Sequence, residues 1–151
     1  MTASLAIPRD AGVRFEDGPD HGRVLVFGRD TSGRYSLMSY VVAPGMVGEP
    51  IAYGAHRHRE IEETFLLQSG QLDFLLGEAV IPMGPGDFVR VPPGVRHGYA
   101  NTSGAPVELL VSFHPGGFEE LFVKYRTDGG DPAGGRGFLA EATERFASEF
   151  E

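Results

Sequence analysis

The stretch from Ala55 to Gly70, AHRHREIEETFLLQSG, limits the fold more tightly than any other part of the chain. His56 and His58 sit two positions apart, Glu63 follows five positions later, and an apolar run then ends at a Gly-Gln turn. On a strand, alternate residues share a face, so His56 and His58 point one way and Arg57 and Arg59 the other. Glu63 shares its face with Phe65 and Leu67, opposite Thr64, Leu66 and Gln68. A second segment, GDFVRVPPGVRHGYAN from Gly86 to Asn101, brings a third histidine, His97, with Tyr99 on the same strand face. If the apolar sets face a common core, His56, His58, Glu63 and His97 converge inside it. A buried carboxylate needs a partner there, and a divalent metal is an efficient one. Imidazoles and a carboxylate suit one divalent transition metal, whether iron, nickel, manganese, cobalt, copper or zinc. On an octahedral ion such a set leaves two positions open. A lone histidine on a strand is ordinarily an exposed or satisfied side chain. His21 and His114 lack company and read as non-ligands, with His114 at most on a pocket rim.

The surrounding pattern is that of an all-β chain. Twenty-two glycines and eleven prolines in 151 residues supply many turns, as short strands require. Residues 1–22 read as an irregular lead-in broken by Pro8, Gly12, Gly18 and Pro19. Arg23 to Phe27 and Arg34 to Val42 read as a hairpin across the turn residues Gly28 to Gly33. Strands are expected near 55–59, 62–68, 71–76, 79–82, 87–91, 96–101 and 106–113, with glycine- or proline-bearing connections. Short strands at this spacing predict a sandwich or barrel. After Pro115 the period changes. Phe118, Leu121, Phe122 and Tyr125 form one helical stripe, and Phe138, Ala142, Phe146 and Phe150 a second. Both stripes are expected to pack on the outside of the barrel; a lid over its mouth or a dimer contact is the alternative. One domain is expected, with a lead-in and hairpin over 1–45, the barrel over 46–115 and a helical tail over 116–151.

Charge and composition exclude several classes. A formal charge of -8 argues against nucleic acid or an anionic membrane as partner. No cysteine is present, so thiolate metal sites and disulfides are ruled out. No run approaches the roughly 18 apolar residues of a membrane span, and the N-terminus carries no signal-like segment. A soluble, cytoplasmic protein is expected.

The two histidine segments resemble the paired motifs of the cupin superfamily. The first motif is a glycine, five residues, His-x-His, three or four residues, Glu, six residues and Gly. His56, His58, Glu63 and Gly70 fit it, with four residues before Glu63. The second is Gly, five residues, Pro-x-Gly, two residues, His, three residues and Asn, which Gly86, Pro92, Gly94, His97 and Asn101 match throughout. One departure is Pro50 at the first glycine position, which affects a turn and no ligand. A three-residue spacing would offer Glu62 as ligand; Glu63 is preferred because six residues then precede Gly70. The resemblance covers about residues 36–115. It implies a cupin double-stranded β-helix, a jelly-roll barrel with the metal inside, followed here by C-terminal helices. It assigns turn-forming roles to Gly86 and Gly94 and a loop-stabilising role to Asn101. It also implies a homodimer. The segment HPGGFEELF from His114 is similar to the ending of small bacterial cupins compared with quercetin dioxygenases.

Fold does not name a reaction. The complete ligand set argues against storage proteins and metal-free epimerases. The single lysine, Lys124, lies on a predicted helix, which argues against sugar-phosphate isomerases of this family. Candidate pocket residues are Met38, Tyr40, Tyr53, Phe65 and Phe113, with Met46 near the mouth, although aromatics here equally suit a barrel core. Such walls suit a phenolic or enolisable small molecule. By resemblance to quercetin dioxygenases, a metal-dependent dioxygenase acting on such a molecule is expected, with Glu63 as a catalytic residue that ligates the metal and takes a substrate proton. Tyr99 is expected to hydrogen-bond substrate or bound dioxygen. The alternatives are a non-redox metal-dependent cyclase, isomerase or lyase, and a small-molecule-binding protein without catalysis.

Overall fold

The computed structural model describes residues 5–8, 10–45, 53–126 and 136–151. Met46, Pro50 and most of the loop between the two helical stripes lie outside them. Eleven strands are present among the described residues: β1 (Val13–Asp17), β2 (Asp20–Val26), β3 (Ser36–Val42), β4 (His56–His58), β5 (Glu62–Ser69), β6 (Leu72–Leu76), β7 (Ala79–Met83), β8 (Phe88–Val91), β9 (His97–Ala100), β10 (Val107–His114) and β11 (Ser148–Phe150). Two helices, α1 (Glu119–Tyr125) and α2 (Arg136–Phe146), lie between β10 and β11. One antiparallel sheet runs β1-β2-β3-β10-β5-β8 and the other β11-β4-β9-β6-β7. This two-sheet jelly roll is the expected all-β cupin architecture with helices near its C-terminus.

Period-two alternation decides what each sheet turns inward. In β3, Ser36, Met38, Tyr40 and Val42 are buried and their neighbours half-buried. In β5, Glu63, Phe65 and Leu67 are buried, so the carboxylate sits in line with the apolar set. Strand β10 runs between them, setting Val111 opposite both Met38 and Phe65, and Phe113 opposite Glu63. In the facing sheet, β9 lies between β4 and β6, with His97 opposite His56 on one side and Leu76 on the other. The core between the sheets is continuous from Phe15 through Phe74 to Leu121 and Ala142.

Three expectations need correction. The lead-in is not irregular throughout: Val13 to Asp17 form β1, paired residue by residue with β2, which itself begins at Asp20. Phe15 is its one buried residue, at 1% exposed, so a single apolar side chain anchors a strand whose other residues are exposed, apart from the half-buried Asp17. The second correction concerns Phe150. The helix carrying Phe138, Ala142 and Phe146 ends at Phe146, Ala147 turns into the left-handed region at φ 49°, and Phe150 lies on β11. Phe118, Leu121, Phe138 and Ala142 of the helical tail are buried in the same core as the barrel residues, rather than packed on its outside.

Candidate metal centre and pocket

Strands β4, β5 and β9 bring His56, His58, Glu63 and His97 together. One donor atom from each lies within 4.8 Å of the others. Metal–nitrogen bonds of about 2.1 Å would place donors no more than about 4.2 Å apart, so a contraction of about half an ångström suffices. Glu62 faces outward and pairs with Arg90 at 2.6 Å. Arg57 and Arg59 turn away from the cluster toward Glu149 on β11. Neither His21 nor His114 joins the group; the His114 Nε2 sits 2.8 Å from the Ser112 hydroxyl instead.

The outer nitrogens of all three imidazoles are engaged. His56 Nδ1 lies 2.7 Å from the Gly54 carbonyl and His97 Nδ1 2.9 Å from the Val95 carbonyl. A carbonyl only accepts, so both Nδ1 atoms carry a proton, and each ring turns its Nε2 inward toward the cluster. His58 Nδ1 lies 2.7 Å from the Ser148 hydroxyl, and both residues are buried. His58 Nε2 is buried without a hydrogen-bond partner, although it stands 3.3 Å from Glu63 Oε2. His97 Nε2 contacts the same oxygen at 2.9 Å. Buried polar atoms are rarely left unpaired. An orphaned imidazole nitrogen facing a carboxylate, with every outer nitrogen tied back, is the donor set a divalent ion takes.

Electrostatics follow from this crowding. Burial pushes the Glu63 carboxyl up, but the His58 and His97 rings outweigh it and hold the group well below the usual carboxylate range. Burial and the neighbouring His97 depress His56 to about 4. His97 is pushed down by burial but raised overall by Glu63. The Tyr40 and Tyr99 phenols are both pushed well above the ordinary range, chiefly by burial, so both keep their protons at neutral pH.

The cluster opens into a cavity of about 160 Å³. Of the sequence-predicted pocket residues, Met38, Tyr40 and Phe65 line it, as does Tyr99. Tyr53 does not line it; its carbonyl accepts the Tyr99 backbone N–H at 2.9 Å beside Gly98. Phe113 is buried behind the wall, with its ring 5.1 Å from that of Phe118. The sequence reading missed Asp17, Arg126 and Phe150, which complete the lining together with the helical-tail residues Phe118, Phe122 and Phe138. Tyr40 donates its hydroxyl to Asp17 at 2.6 Å, and Arg126 Nε approaches the other Asp17 oxygen at 3.0 Å. No short motif marks these residues, because three separate elements bring them in. Asn101 meets its expected role, donating from its amide to the Val42 and Ala105 carbonyls at 3.0 and 2.7 Å. At Gly94, φ is +83° and the N–H donates to the His58 carbonyl at 2.7 Å, so the turn before β9 is pinned to the histidine strand.

Comparison with known proteins agrees with this architecture. The Cupin domain family model matches residues 38–113. The chain is 31% identical over 130 residues to quercetin 2,3-dioxygenase of Bacillus subtilis (strain 168), covering 86% of this chain and 36% of that protein, so it spans about a third of that relative's length. The structure of KdgF from Halomonas sp. superposes with a TM-score of 0.65 at 13% identity, covering 78% of this chain and 99% of that one. A sugar phosphate isomerase from a cupin superfamily, of Silicibacter pomeroyi, gives a TM-score of 0.58 at 21% identity, covering 73% and 75%. With the family match spanning both histidine segments, the chain belongs to the cupin domain family.

Proposed function

We propose that His56, His58, Glu63 and His97 hold one divalent transition metal and that the protein is a dioxygenase acting on a phenolic or enolisable small molecule. One observation carries the reading. All three imidazoles are tied back through Nδ1 and converge through Nε2 on a buried carboxylate, at the end of an aromatic-walled cavity. The similarity to a quercetin 2,3-dioxygenase supports oxygen chemistry. When bound, the ion supplies Lewis acidity toward a substrate oxygen and, if redox-active, a route for electrons to dioxygen.

The chain's own residues do the rest. Gly54, Val95 and Ser148 fix the ring orientations, so the site is assembled before substrate arrives. The cavity walls are Met38, Phe65, Val111 and the rings of the helical tail, which orient a flat molecule and exclude water. Glu63 Oε2 takes both imidazole contacts, leaving Oε1 to receive the proton of an incoming hydroxyl. Tyr99 lines the same cavity and stays protonated, so it can donate a hydrogen bond to a substrate oxygen.

The neutral phenols favour a second reading. Tyr40 and Tyr99 line the cavity beside Glu63 as protonated hydrogen-bond donors, an arrangement a non-redox isomerase, cyclase or lyase would also use to hold a developing oxyanion. Oxygen uptake on adding phenols and enols to iron-, nickel- or manganese-loaded protein separates the two. Uptake with any one of them supports the dioxygenase. Turnover by zinc-loaded protein without oxygen moves the assignment to the non-redox class. A single-domain cytoplasmic homodimer completes the reading, with the mass in solution as its check.

A further inference from the structure

The cavity beside the histidine cluster is small for the aromatic character of its walls. At about 160 Å³ it falls well below the roughly 300–1,000 Å³ that hold drug-sized ligands. It is close to the about 150 Å³ void that accommodates one benzene ring. Strand β11 sets part of this limit. The Phe150 ring stacks on His56 with centroids 5.6 Å apart and planes 21° apart, and it lines the cavity while remaining 37% exposed. It therefore stands at the mouth, between the cluster and solvent.

The strand is fastened on both sides of that ring. Ser148 holds His58 inside, and Glu149 pairs with Arg59 at 2.6 Å. On the other side the Glu151 N–H donates to the Ala55 carbonyl at 3.0 Å, and its carboxylate takes Arg96 at 2.6 and 2.7 Å. Both carboxylates are themselves exposed and reach an exposed arginine, Arg59, and a half-buried one, Arg96, and such surface pairs are individually weak. Their placement fixes where Phe150 sits.

The Asp17–Arg126 part of the cavity lining has its own chemistry. Arg126 is already neutralised by Asp17, and Asp20 adds a second carboxylate, 3.5 Å from the Tyr40 hydroxyl. Arg126 Nε is buried and makes a charge contact with Asp17 without a hydrogen bond. This part therefore offers N–H and O–H donors and carboxylate acceptors but no spare positive charge. It accepts a hydroxyl or carbonyl group and repels a carboxylate.

We propose that Phe150 on the C-terminal strand restricts this site to single-ring ligands, namely phenols or cyclic enols that carry a second, uncharged oxygen function toward Asp17 and Arg126. Multi-ring flavonols and carboxylated rings are excluded, the first by size and the second by charge. This rests on the metal-centre reading given above.

The test is anaerobic equilibrium dialysis of zinc-loaded full-length protein against hydroquinone, 4-hydroxybenzoate and quercetin, with metal content measured on the same samples. Wild type should retain hydroquinone and bind the other two at least about tenfold more weakly. Phe150→Ala should raise quercetin binding by at least about tenfold, with Phe150→Leu between the two. Equal binding of quercetin and hydroquinone by wild type overturns the proposal, as does an unchanged ratio in both variants. Zinc retained with no ring bound overturns it while leaving the metal centre standing. Zinc not retained by wild type overturns the metal-centre reading itself.

Discussion

Replacing Ser148 with alanine removes a single hydroxyl ninety residues away in sequence from the histidine it touches. Ser148 and His58 are 1% and 2% exposed, so water cannot substitute for the lost partner. A buried donor left unpaired costs about 1–3 kcal/mol, and the metal-free protein should lose that much stability in urea. The metal effect has a separate origin. With Ser148 present, a proton on His58 Nδ1 has an acceptor 2.7 Å away, and the Nε2 lone pair faces Glu63. Without it, the other tautomer gains by hydrogen-bonding Glu63 through Nε2–H, and that nitrogen is no longer a ligand. Loss of such an outer partner lowers metal affinity about 10- to 100-fold. Competition with a chromophoric chelator measures this directly, and Glu149→Ala is the control. Glu149 sits on the same strand but reaches only exposed arginines, so its loss should cost under about 1 kcal/mol and leave affinity unchanged. If Ser148→Ala binds metal within about threefold of wild type, the tautomer argument is wrong. If Glu149→Ala loses as much affinity, strand attachment rather than the hydroxyl is responsible.

His56 gives a pH prediction. Its folded value of about 4 lies below its ordinary 6.5, so its contribution is intact above the unfolded value and is lost as pH falls from there toward 4. At about pH 5 the metal-free protein should gain about 2 kcal/mol from His56→Gln relative to the same substitution at neutral pH, as read by urea melts at both. His97 shifts the opposite way, so its NMR titration should fall above that of His56; the reverse order would refute the assignment. Gly98→Ala should disturb the site from behind. A Cβ there would strike the Tyr53 carbonyl oxygen and lie 2.9 Å from its carbon, at backbone that cannot move without dragging β4. A loss of about 1–3 kcal/mol is expected in thermal melts, and a neutral result would show that the loop yields. Glu119 is fully buried, accepting N–H bonds from Gly28 and Gly117, both at 2.6 Å. Glu119→Gln turns one acceptor into a donor facing an N–H, so about 2–3 kcal/mol should be lost with metal affinity unchanged.

Much of the candidate site was legible because strand periodicity and ligand spacing are local. His56 and His58 share a face by counting residues, and Glu63 follows from its alignment with Phe65 and Leu67. What could not be read is set by tertiary pairing. The β1 strand has one inward apolar residue, Phe15, and no alternation in sequence stands out from its charged neighbours. Arg126 and Asp17 belong to a helix end and a hairpin turn that meet only in the folded chain. Tyr53 and Phe113 read as pocket residues by position alone, since neither motif nor period distinguishes a wall from the layer behind it.

Phe150 shows most clearly why such a reading fails. It stands four residues after Phe146, which itself follows Phe138 and Ala142 at the same interval, so the helical stripe continues on paper. The break falls at Ala147, whose φ of 49° is a conformation that costs a non-glycine residue roughly 1–2 kcal/mol. No glycine announces it. The chain adopts that turn because the four residues beyond it gain a β ladder with β4, the buried bond from Ser148 to His58, and arginine pairs at Glu149 and Glu151. A helical extension would offer these residues none of those contacts and would leave His58 Nδ1 buried without its partner. The same four residues thus trade local helical preference for contacts at the histidine cluster, which is how a C-terminal segment comes to wall the candidate site.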